Sequence, residues 1–476
     1  MAGPQRQTGA QVAQDQGVED GGKKPSLFIL IFIASIVLPN IFFLGPLKLT
    51  LYKLILLVVT VPLIGMWAAG KAGPFKAIDY FIFLFAAWSG VALFIVHGPI
   101  LIETAGIRTL ETVGAYLIAR IFIQSPAQFG FMIKCLCWTV VLMVPFAIVE
   151  AFTSRILISD IMGILTGVHP DNQDEMRFGL HRVQGPFEHP ILFGVFCASM
   201  TAPAVLIWGQ KSGKFGRVAK VGGIALATFL SLSVGAYISA IIQVGLLIWD
   251  RILINVQKRW MILGSIFISF YVLIDLLSNR SPIQVFISYL TFNSSASYNR
   301  ILIWKYGTAE VLRYPLFGIG LNDWTRPSWM VASIDNYWLM TTIQYGMPAG
   351  ALMLAAFLYL IIKTTKRDFT GSKLVSSYRL AYLIGLGGFM LSLCTVHVWN
   401  ATYVFLIFYL GSGVWMTNYV VPPPVSGPSG EDDEEEDDDK PRYQSARTRM
   451  PRSGSGYVRP TRKAGPVRTT RAPRKR

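Results

Sequence analysis

Apolar runs of about twenty residues, separated by short polar connections, make up most of this 476-residue chain. A transmembrane helix needs about 20 consecutive, mostly apolar residues. The pattern therefore predicts an all-α polytopic membrane protein with about twelve transmembrane helices. Their predicted bounds are 27–46, 49–69, 78–97, 105–123, 129–152, 189–208, 219–234, 236–250, 261–278, 337–362, 379–396 and 402–421.

Lysine and arginine are concentrated in every second connection, which predicts how the chain is oriented. The basic connections are at 70–77, 209–220, 250–260 and 363–379, whereas 98–104 and 397–401 carry no lysine or arginine. By the positive-inside rule, the basic connections and both termini are cytoplasmic. Two longer connections, 153–188 (the first loop) and 279–336 (the second loop), then lie on the outer side.

Both ends of the chain are polar and are predicted to be disordered on the cytoplasmic side. Residues 1–26 form a polar N-terminus before the membrane domain at 27–421. The tail at 422–476 contains an acidic block at 431–439, followed by a segment rich in arginine and lysine. The basic segment can pair with the acidic block, with anionic lipid or with a cytoplasmic partner.

Composition agrees with a membrane protein and limits the other classes. Charged residues make up 15% of the chain and hydrophobic residues 53%, whereas a soluble protein carries about 25% charge. The net charge of +16 fits loops that face anionic lipid better than a nucleic-acid partner. The four cysteines lie in apolar runs and have no metal-ligand spacing, so we interpret them as small hydrophobic residues.

The first loop ends in the polar sequence FGLHRVQGPFEHPILFG at 178–194, where the chain re-enters the membrane. Arg182, Glu188 and His189 are its candidate functional residues, because a charge at that depth needs a partner or a water-filled cavity. The alternative is an interfacial arginine that reaches toward lipid headgroups beside a Gly-Pro turn.

The second loop contains SYNRILIWKYGTAEVLRYPLFGIG at 297–320. Arg300, Trp304 and Thr308 recur every four residues, which predicts one face of a helix that ends before Pro315. The planar guanidinium of Arg300 is suited to bidentate capture of phosphate oxygens. The alternative is an amphipathic helix on the bilayer surface, anchored by Trp304.

Asp335 and Asn336 follow, at the predicted membrane entry of the next span. Asp335 is a candidate general base, but an ion pair with a loop arginine or a helix N-cap would also explain it. The sequence contains no HExxH or P-loop motif, and the histidines have no metal-ligand spacing. We interpret His397 as a structural interfacial residue, and Asp79, Glu103, Glu111 and Glu150 as mainly structural.

Three segments together resemble the O-antigen ligase family, which includes O-antigen ligases, O-antigen polymerases and exopolysaccharide polymerases. They are R-V-x-G-x-F-x-H-P in the first loop, R-x-x-x-W followed by P-x-x-G-x-G in the second, and an acidic residue before Asn-x-x-Leu. The resemblance covers about residues 27–420 in span number, loop placement and motif order.

The resemblance implies a metal-independent, cofactor-free glycosyltransferase with a C-class membrane fold. Such enzymes take a glycan from an undecaprenyl-pyrophosphate carrier at the periplasmic face and invert the anomeric centre. By matched position, Arg182 and Arg300 would hold the donor diphosphate, and Asp335 would be the base. We expect substrate contacts from Arg182, Arg300, Trp304, His189, Glu188 and Asn336.

The chain departs from the ligase pattern at one position, because ligases have histidine where this chain has Asp335. This difference favours a polymerase of surface or extracellular polysaccharide over a ligase that transfers glycan to lipid A core. Glu188 and His189 are alternative bases. Two other classes compete with the enzyme: a lipid-linked glycan flippase and a scaffold that recruits partners through the tail.

Overall fold

The structure is a computed structural model that describes residues 24–39, 41–44, 47–166, 175–210, 212–279, 282, 285 and 294–422. The predicted disordered segments at 1–23 and 423–476 lie outside this part. The described chain is mostly helical, with two short β-hairpins. Its helices are α1 Leu27–Val37, α2 Leu51–Ala68, α3 Ala77–His97, α4 Ile102–Thr109, α5 Ala115–Phe122, α6 Pro126–Thr153, α7 Leu157–Thr166, α8 Pro190–Ser199, α9 Thr201–Pro203, α10 Lys214–Leu230, α11 Val234–Ile252, α12 Arg259–Leu277, α13 Ser294–Arg313, α14 Tyr337–Thr365, α15 Lys373–Ser392 and α16 Asn400–Ser412.

Eight helical stretches in the described residues are long and apolar enough to cross a membrane. One of them, Ala77–Phe122, is 46 residues long and covers two predicted spans. Each of the twelve predicted spans overlaps a helix of the structure. An all-α membrane protein is thus confirmed at this coarse level, while twelve crossings and two outer loops stay predictions.

The first predicted span, 27–46, is wrong in its second half. Helix α1 ends at Val37, and an antiparallel hairpin of β1 Ile41–Leu44 and β2 Leu47–Thr50 follows. Leu38 has an extended backbone and precedes Pro39, and the residue before a proline disfavours the helical conformation. The hydrophobicity of the segment does not reveal this break, because apolar residues suit strands as well as helices.

Helices α3, α4 and α5 form one folded-back unit. Gly98, at positive φ, follows α3, and a 3₁₀ turn over Gly98–Leu101 leads into α4. Between α4 and α5 the chain forms a π-helical segment, Leu110–Gly114. Such segments are rare and often occur at functional sites.

A buried ion pair connects the two ends of this unit. The Arg120 Nε lies 3.1 Å from the Asp79 Oδ1, and both side chains are buried. Tyr116 donates its hydroxyl to the same carboxylate, and Arg120 also donates to the Pro74 carbonyl oxygen at 2.8 Å. These partners satisfy both charges, so the structural interpretation of Asp79 agrees with its contacts.

Helix α14 is broken in the middle. Gly346 has φ 83° and ψ 170°, which interrupts the helix before Pro348. The segment Pro315–Leu321 packs into the break: the Met347 amide donates to the Pro315 carbonyl at 2.7 Å, and the Ile319 amide donates to the Ile343 carbonyl at 2.9 Å. Backbone groups released by the break therefore find partners in the second loop.

The second loop has a hydrophobic core of its own. Leu302 and Ile303 of α13 pack with residues that follow the helix and with the first turns of α14. The other buried members are Ile319, Trp324, Met330, Ile334, Leu339 and Ile343. The loop is thus a folded unit attached to α14, and it holds Arg300 and Asp335 in fixed positions.

Candidate functional site

The connection between α15 and α16, residues 393–399, contacts the ends of both loops. The Tyr337 amide, at the end of the second loop, donates to the Leu393 and Val396 carbonyls at 2.9 and 3.1 Å. Glu188, at the end of the first loop, accepts from the Trp399 Nε1 at 2.7 Å and from the side-chain Nδ2 of Asn400 at 2.6 Å. Residues from the two loops therefore meet at one end of the helical bundle.

Glu150 holds the re-entry segment of the first loop. Its buried carboxylate accepts from the Gln184 amide at 2.7 Å and from the Gly185 amide at 3.1 Å. Gly185 has φ 55°, a conformation that side-chain-bearing residues rarely adopt. This contact fixes the backbone just after Arg182. The sequence did not reveal the contact, because Glu150 lies more than thirty positions earlier.

Arg182 is buried, with 4% of its surface exposed, so the snorkelling alternative is wrong. Its Nη1 pairs with the Glu175 carboxylate, and its amide donates to the Glu175 carbonyl at 2.9 Å. Burial lowers the pKa of Arg182, while Glu175 opposes that shift. The Nε is buried and has no hydrogen-bond partner among the described residues, so one donor of this guanidinium is unpaired there.

His189 begins α8 as its N-cap. Its Nδ1 accepts from the Ile191 amide at 3.1 Å, and its ring lies 6.1 Å from the Trp399 ring. Burial and the charge of Arg182 lower the pKa of His189 below its ordinary value. The imidazole is therefore neutral at pH 7, with its Nδ1 already engaged.

Arg300 and Asp335 lie within electrostatic range of each other in the second loop. Burial raises the pKa of Asp335, and the charge of Arg300 opposes that shift. Burial likewise lowers the pKa of Arg300, and its Nη1 is buried with no hydrogen-bond partner in the part of the chain that the structure describes. In the part of the chain described here, no ion pair within 4 Å joins them, so each keeps bonding capacity for a ligand.

Trp304 and Asn336 both make contacts within the protein, and their predicted substrate contacts stay predictions. Trp304 is partly buried and packs against the small core of the second loop. Asn336, and not Asp335, is the N-cap of α14, and its side chain accepts from the Leu339 amide at 2.9 Å. Asp335 is thereby left without the capping role that the sequence allowed.

A third arginine, Arg108, was missed as a candidate. Its guanidinium carbon lies 3.4 Å from the centre of the Tyr403 ring and 6.0 Å from that of Tyr345. Its Nε is buried without a hydrogen-bond partner. Glu111, three residues later, is paired with Lys53 at 3.6 Å. Arg108 is therefore a cation that aromatic faces stabilise and that retains an unused donor.

His397 also belongs to the site, although the sequence favoured a structural role. Its ring stacks on Tyr337 at 6.1 Å and on Trp399 at 5.8 Å. Burial and the charge of Arg108 lower the pKa of His397 to about 4. Its Nδ1 is buried without a hydrogen-bond partner. A neutral imidazole with an unused nitrogen is a second candidate proton acceptor.

The rings form a continuous row between the predicted residues of the two loops. His189 contacts Trp399, Trp399 contacts His397, and His397 contacts Tyr337, with centroid distances of 5.8 to 6.1 Å. Tyr337 lies two positions after Asp335. The structure thus places Glu188 and His189 at one end of this row and Asp335 at the other, while Arg182 and Arg300 make no direct contact with each other in the described residues.

This arrangement can bind an anion and move a proton. Arg108, Arg182 and Arg300 supply guanidinium donors with unused, desolvated nitrogens, and such donors form strong hydrogen bonds to phosphate oxygens. Asp335 and His397 supply two acceptors. A comparison with protein-family models and with curated proteins found no match.

Proposed function

We propose that this protein is a membrane glycosyltransferase that polymerises surface or extracellular polysaccharide. It takes a glycan from an undecaprenyl-pyrophosphate carrier and transfers it to an acceptor sugar hydroxyl at the periplasmic face of a bacterial inner membrane. The supporting observation is that Arg108, Arg182 and Arg300 each have one buried nitrogen without a hydrogen-bond partner among the described residues, and that both loops contact residues 393–400. Buried polar groups normally have partners, so these three unpaired nitrogens favour an anionic substrate.

In the proposed reaction, the acceptor oxygen forms a bond to the anomeric carbon as the bond from that carbon to the diphosphate oxygen breaks. Asp335 accepts the proton of the acceptor hydroxyl. The bonding electrons leave with the diphosphate, whose growing negative charge is stabilised by Arg300 and Arg182. Attack from the face opposite the leaving group inverts the anomeric centre.

The Arg182 Nη1 can bind the donor only if its pairing with Glu175 is exchanged for the diphosphate. Glu175 is about half exposed, so water can solvate its carboxylate when the ion pair with Arg182 breaks. Two phosphates present more acceptor oxygens to the guanidinium than one carboxylate does. Glu175 therefore acts as a replaceable counter-ion for Arg182 in the free enzyme.

A glycan flippase is the second candidate, because the broken helix α14 is a feature of many transporters. Those proteins use the released carbonyls to coordinate ions or substrate. Here the Ile343 and Gln344 carbonyls accept from Ile319 and Gly320 at 2.9 and 3.0 Å, and the Tyr345 carbonyl accepts from the Trp88 Nε1 at 3.0 Å. These acceptors are occupied by the protein, which favours the enzyme.

The test is deletion of the gene, complementation with variants, and analysis of the glycans on the lipid carrier. Loss of a polymerase leaves single repeat units on the carrier, whereas loss of a ligase leaves finished polymer there. We expect Arg300→Ala to behave like the deletion at normal protein level, because it removes the fork that binds phosphate.

Lys305→Ala is the matched control, since Lys305 is an exposed cation of the same helix. It should restore wild-type polymer. Polymer formation by Arg300→Ala at the wild-type level would refute the role of Arg300 in donor binding. A deletion strain that accumulates neither intermediate would instead support transport or scaffolding.

A further inference from the structure

A cavity of about 670 Å³ lies at the end of the bundle where α11 and α14 finish and α12 and α15 begin. The basic connections 209–220, 250–260 and 363–379 meet there, so it is predicted to face the cytoplasm. Its walls contain both charged and apolar side chains. They include Asp250, Arg259, Lys373 and Arg379 on the polar side, and Leu246, Ile254, Trp260, Ile361 and Leu383 on the apolar side.

The lining of the polar side has three cations and one carboxylate, which leaves a surplus of two positive charges; the exposed Asp368, outside the lining, also interacts with Arg379. Arg259 pairs with Asp250, with 2.8 Å between its Nε and the Oδ1. Arg379 donates to the carbonyl oxygen of Arg367, which is a neutral acceptor, and Lys373 is exposed. Thr370, Ser376 and Ser377 add hydroxyl groups to the same wall. The lining is therefore suited to the oxygens of a phosphate.

The apolar side continues toward the outer surface of the bundle. Ile254 is 50% exposed and Trp260 is 36% exposed, and no residue of α12 is buried. In a membrane this surface faces lipid tails. A ligand with a charged head and a hydrocarbon chain can thus contact both sides of the cavity at once.

We propose that this cavity binds an anionic phospholipid, with the phosphate beside Lys373 and Arg379 and an acyl chain along Leu246 and Trp260. Basic pockets between transmembrane helices on the cytoplasmic side are a known way of binding such headgroups. A soluble phosphate compound would not use the apolar wall, and a zwitterionic lipid would not use the two surplus charges. None of these residues belongs to the candidate catalytic site, so the proposal is independent of the proposed function.

The experiment titrates the full-length protein in nonionic detergent with dioctanoyl phosphatidylglycerol, dioctanoyl phosphatidylcholine and glycerol phosphate, with binding measured by native mass spectrometry. One lysine or arginine near a membrane surface contributes about fivefold in affinity for anionic lipid. We therefore expect phosphatidylglycerol to bind at least tenfold more tightly than the other two compounds. Lys373→Gln should weaken that binding about fivefold.

Lys366→Gln is the matched control, because Lys366 is exposed near the same end of α14 but does not line the cavity. It should leave the affinity unchanged, and the melting temperatures of both variants should equal that of the wild type. Equal binding of phosphatidylcholine would overturn charge recognition. Equal binding of glycerol phosphate would overturn the lipid chain as part of the ligand, and equal effects of the two lysine variants would overturn the site.

Discussion

Two arginines in neighbouring helical segments show how differently a buried charge can be used. Arg120 has a carboxylate and carbonyl oxygens as partners, whereas Arg108 has aromatic faces and an unpaired Nε. Desolvation of a cation is unfavourable unless hydrogen bonds replace the lost water. Arg120 is thus explained by stability alone, and Arg108 is explained better by a ligand.

This contrast predicts opposite behaviour for two matched variants. Arg120→Gln leaves the Asp79 carboxylate buried without its cation, and should lower the free energy of unfolding by about 3 to 5 kcal/mol. Arg108→Gln should change it by less than about 2 kcal/mol, since it removes mainly contacts with aromatic side chains, yet reduce glycan transfer at least a hundredfold. Thermal unfolding in detergent and polymer analysis in the complemented strain measure the two effects. A large loss of stability in Arg108→Gln would mean that this cation is structural.

The pH dependence of transfer distinguishes Asp335 from His397 as the base. A base works only when it is deprotonated, so the rate is high above its pKa and falls as the pH is lowered through it. Burial raises the pKa of Asp335 above its ordinary value of 3.8. As the pH is lowered, we therefore expect the wild-type rate to fall with a midpoint above pH 3.8. Asp335→Asn should lose transfer.

His397→Gln should keep the same acid-side fall in rate. If His397→Gln instead loses transfer, then His397 is the base, because proton transfer to His397 requires its imidazole. The rates are measured on purified protein with the lipid-linked repeat unit that the deletion strain accumulates. A single substitution therefore separates the two candidates.

Among the elements, the broken helix α14 explains why Gly346 and Gly318 are glycines. A Cβ on Gly346 would collide with the Leu316 carbonyl oxygen, and one on Gly318 would collide with the Ile343 carbonyl oxygen. Both residues also have positive φ. The glycines let the second loop approach the backbone of α14, and so help to hold the loop that carries Arg300 and Asp335.

Gly346→Ala should therefore lower the free energy of unfolding by about 1 to 3 kcal/mol or more, since strain and collision act together. Gly387→Ala in α15 is the control: no atom lies within 4 Å of its added Cβ. That variant should unfold at or above the wild-type temperature, because alanine favours a helix more than glycine does. Equal thermal stability of Gly346→Ala and the wild type would contradict the described packing of the loop.

The helices could be predicted from the sequence better than the contacts between them. The apolar runs locate the helices, and Pro315 correctly predicts that α13 ends before it. The hairpin after α1 was missed because apolar residues fit strands and helices equally. The contact of Glu188 with Trp399 joins residues 211 positions apart, and a hydrophobic pattern does not predict contacts between residues so distant in sequence. Arg108 was missed as a candidate for the same reason, because its neighbours come from α14 and α16.

At the scale of the whole molecule, all residues of the proposed site lie within the compact unit that ends at Val425. The charged tail at 426–476 lies outside the described residues. Because Arg108, Arg182, Arg300 and Asp335 all lie before residue 426, we expect deletion of 426–476 to leave glycan transfer by purified protein within about twofold of the wild-type rate. This deletion retains Tyr419, whose carbonyl oxygen accepts from Arg367 at 2.8 Å. Complete loss of transfer at wild-type thermal stability would show that the tail takes part in catalysis, whereas a change in cells alone would assign it to a cytoplasmic partner or to anionic lipid.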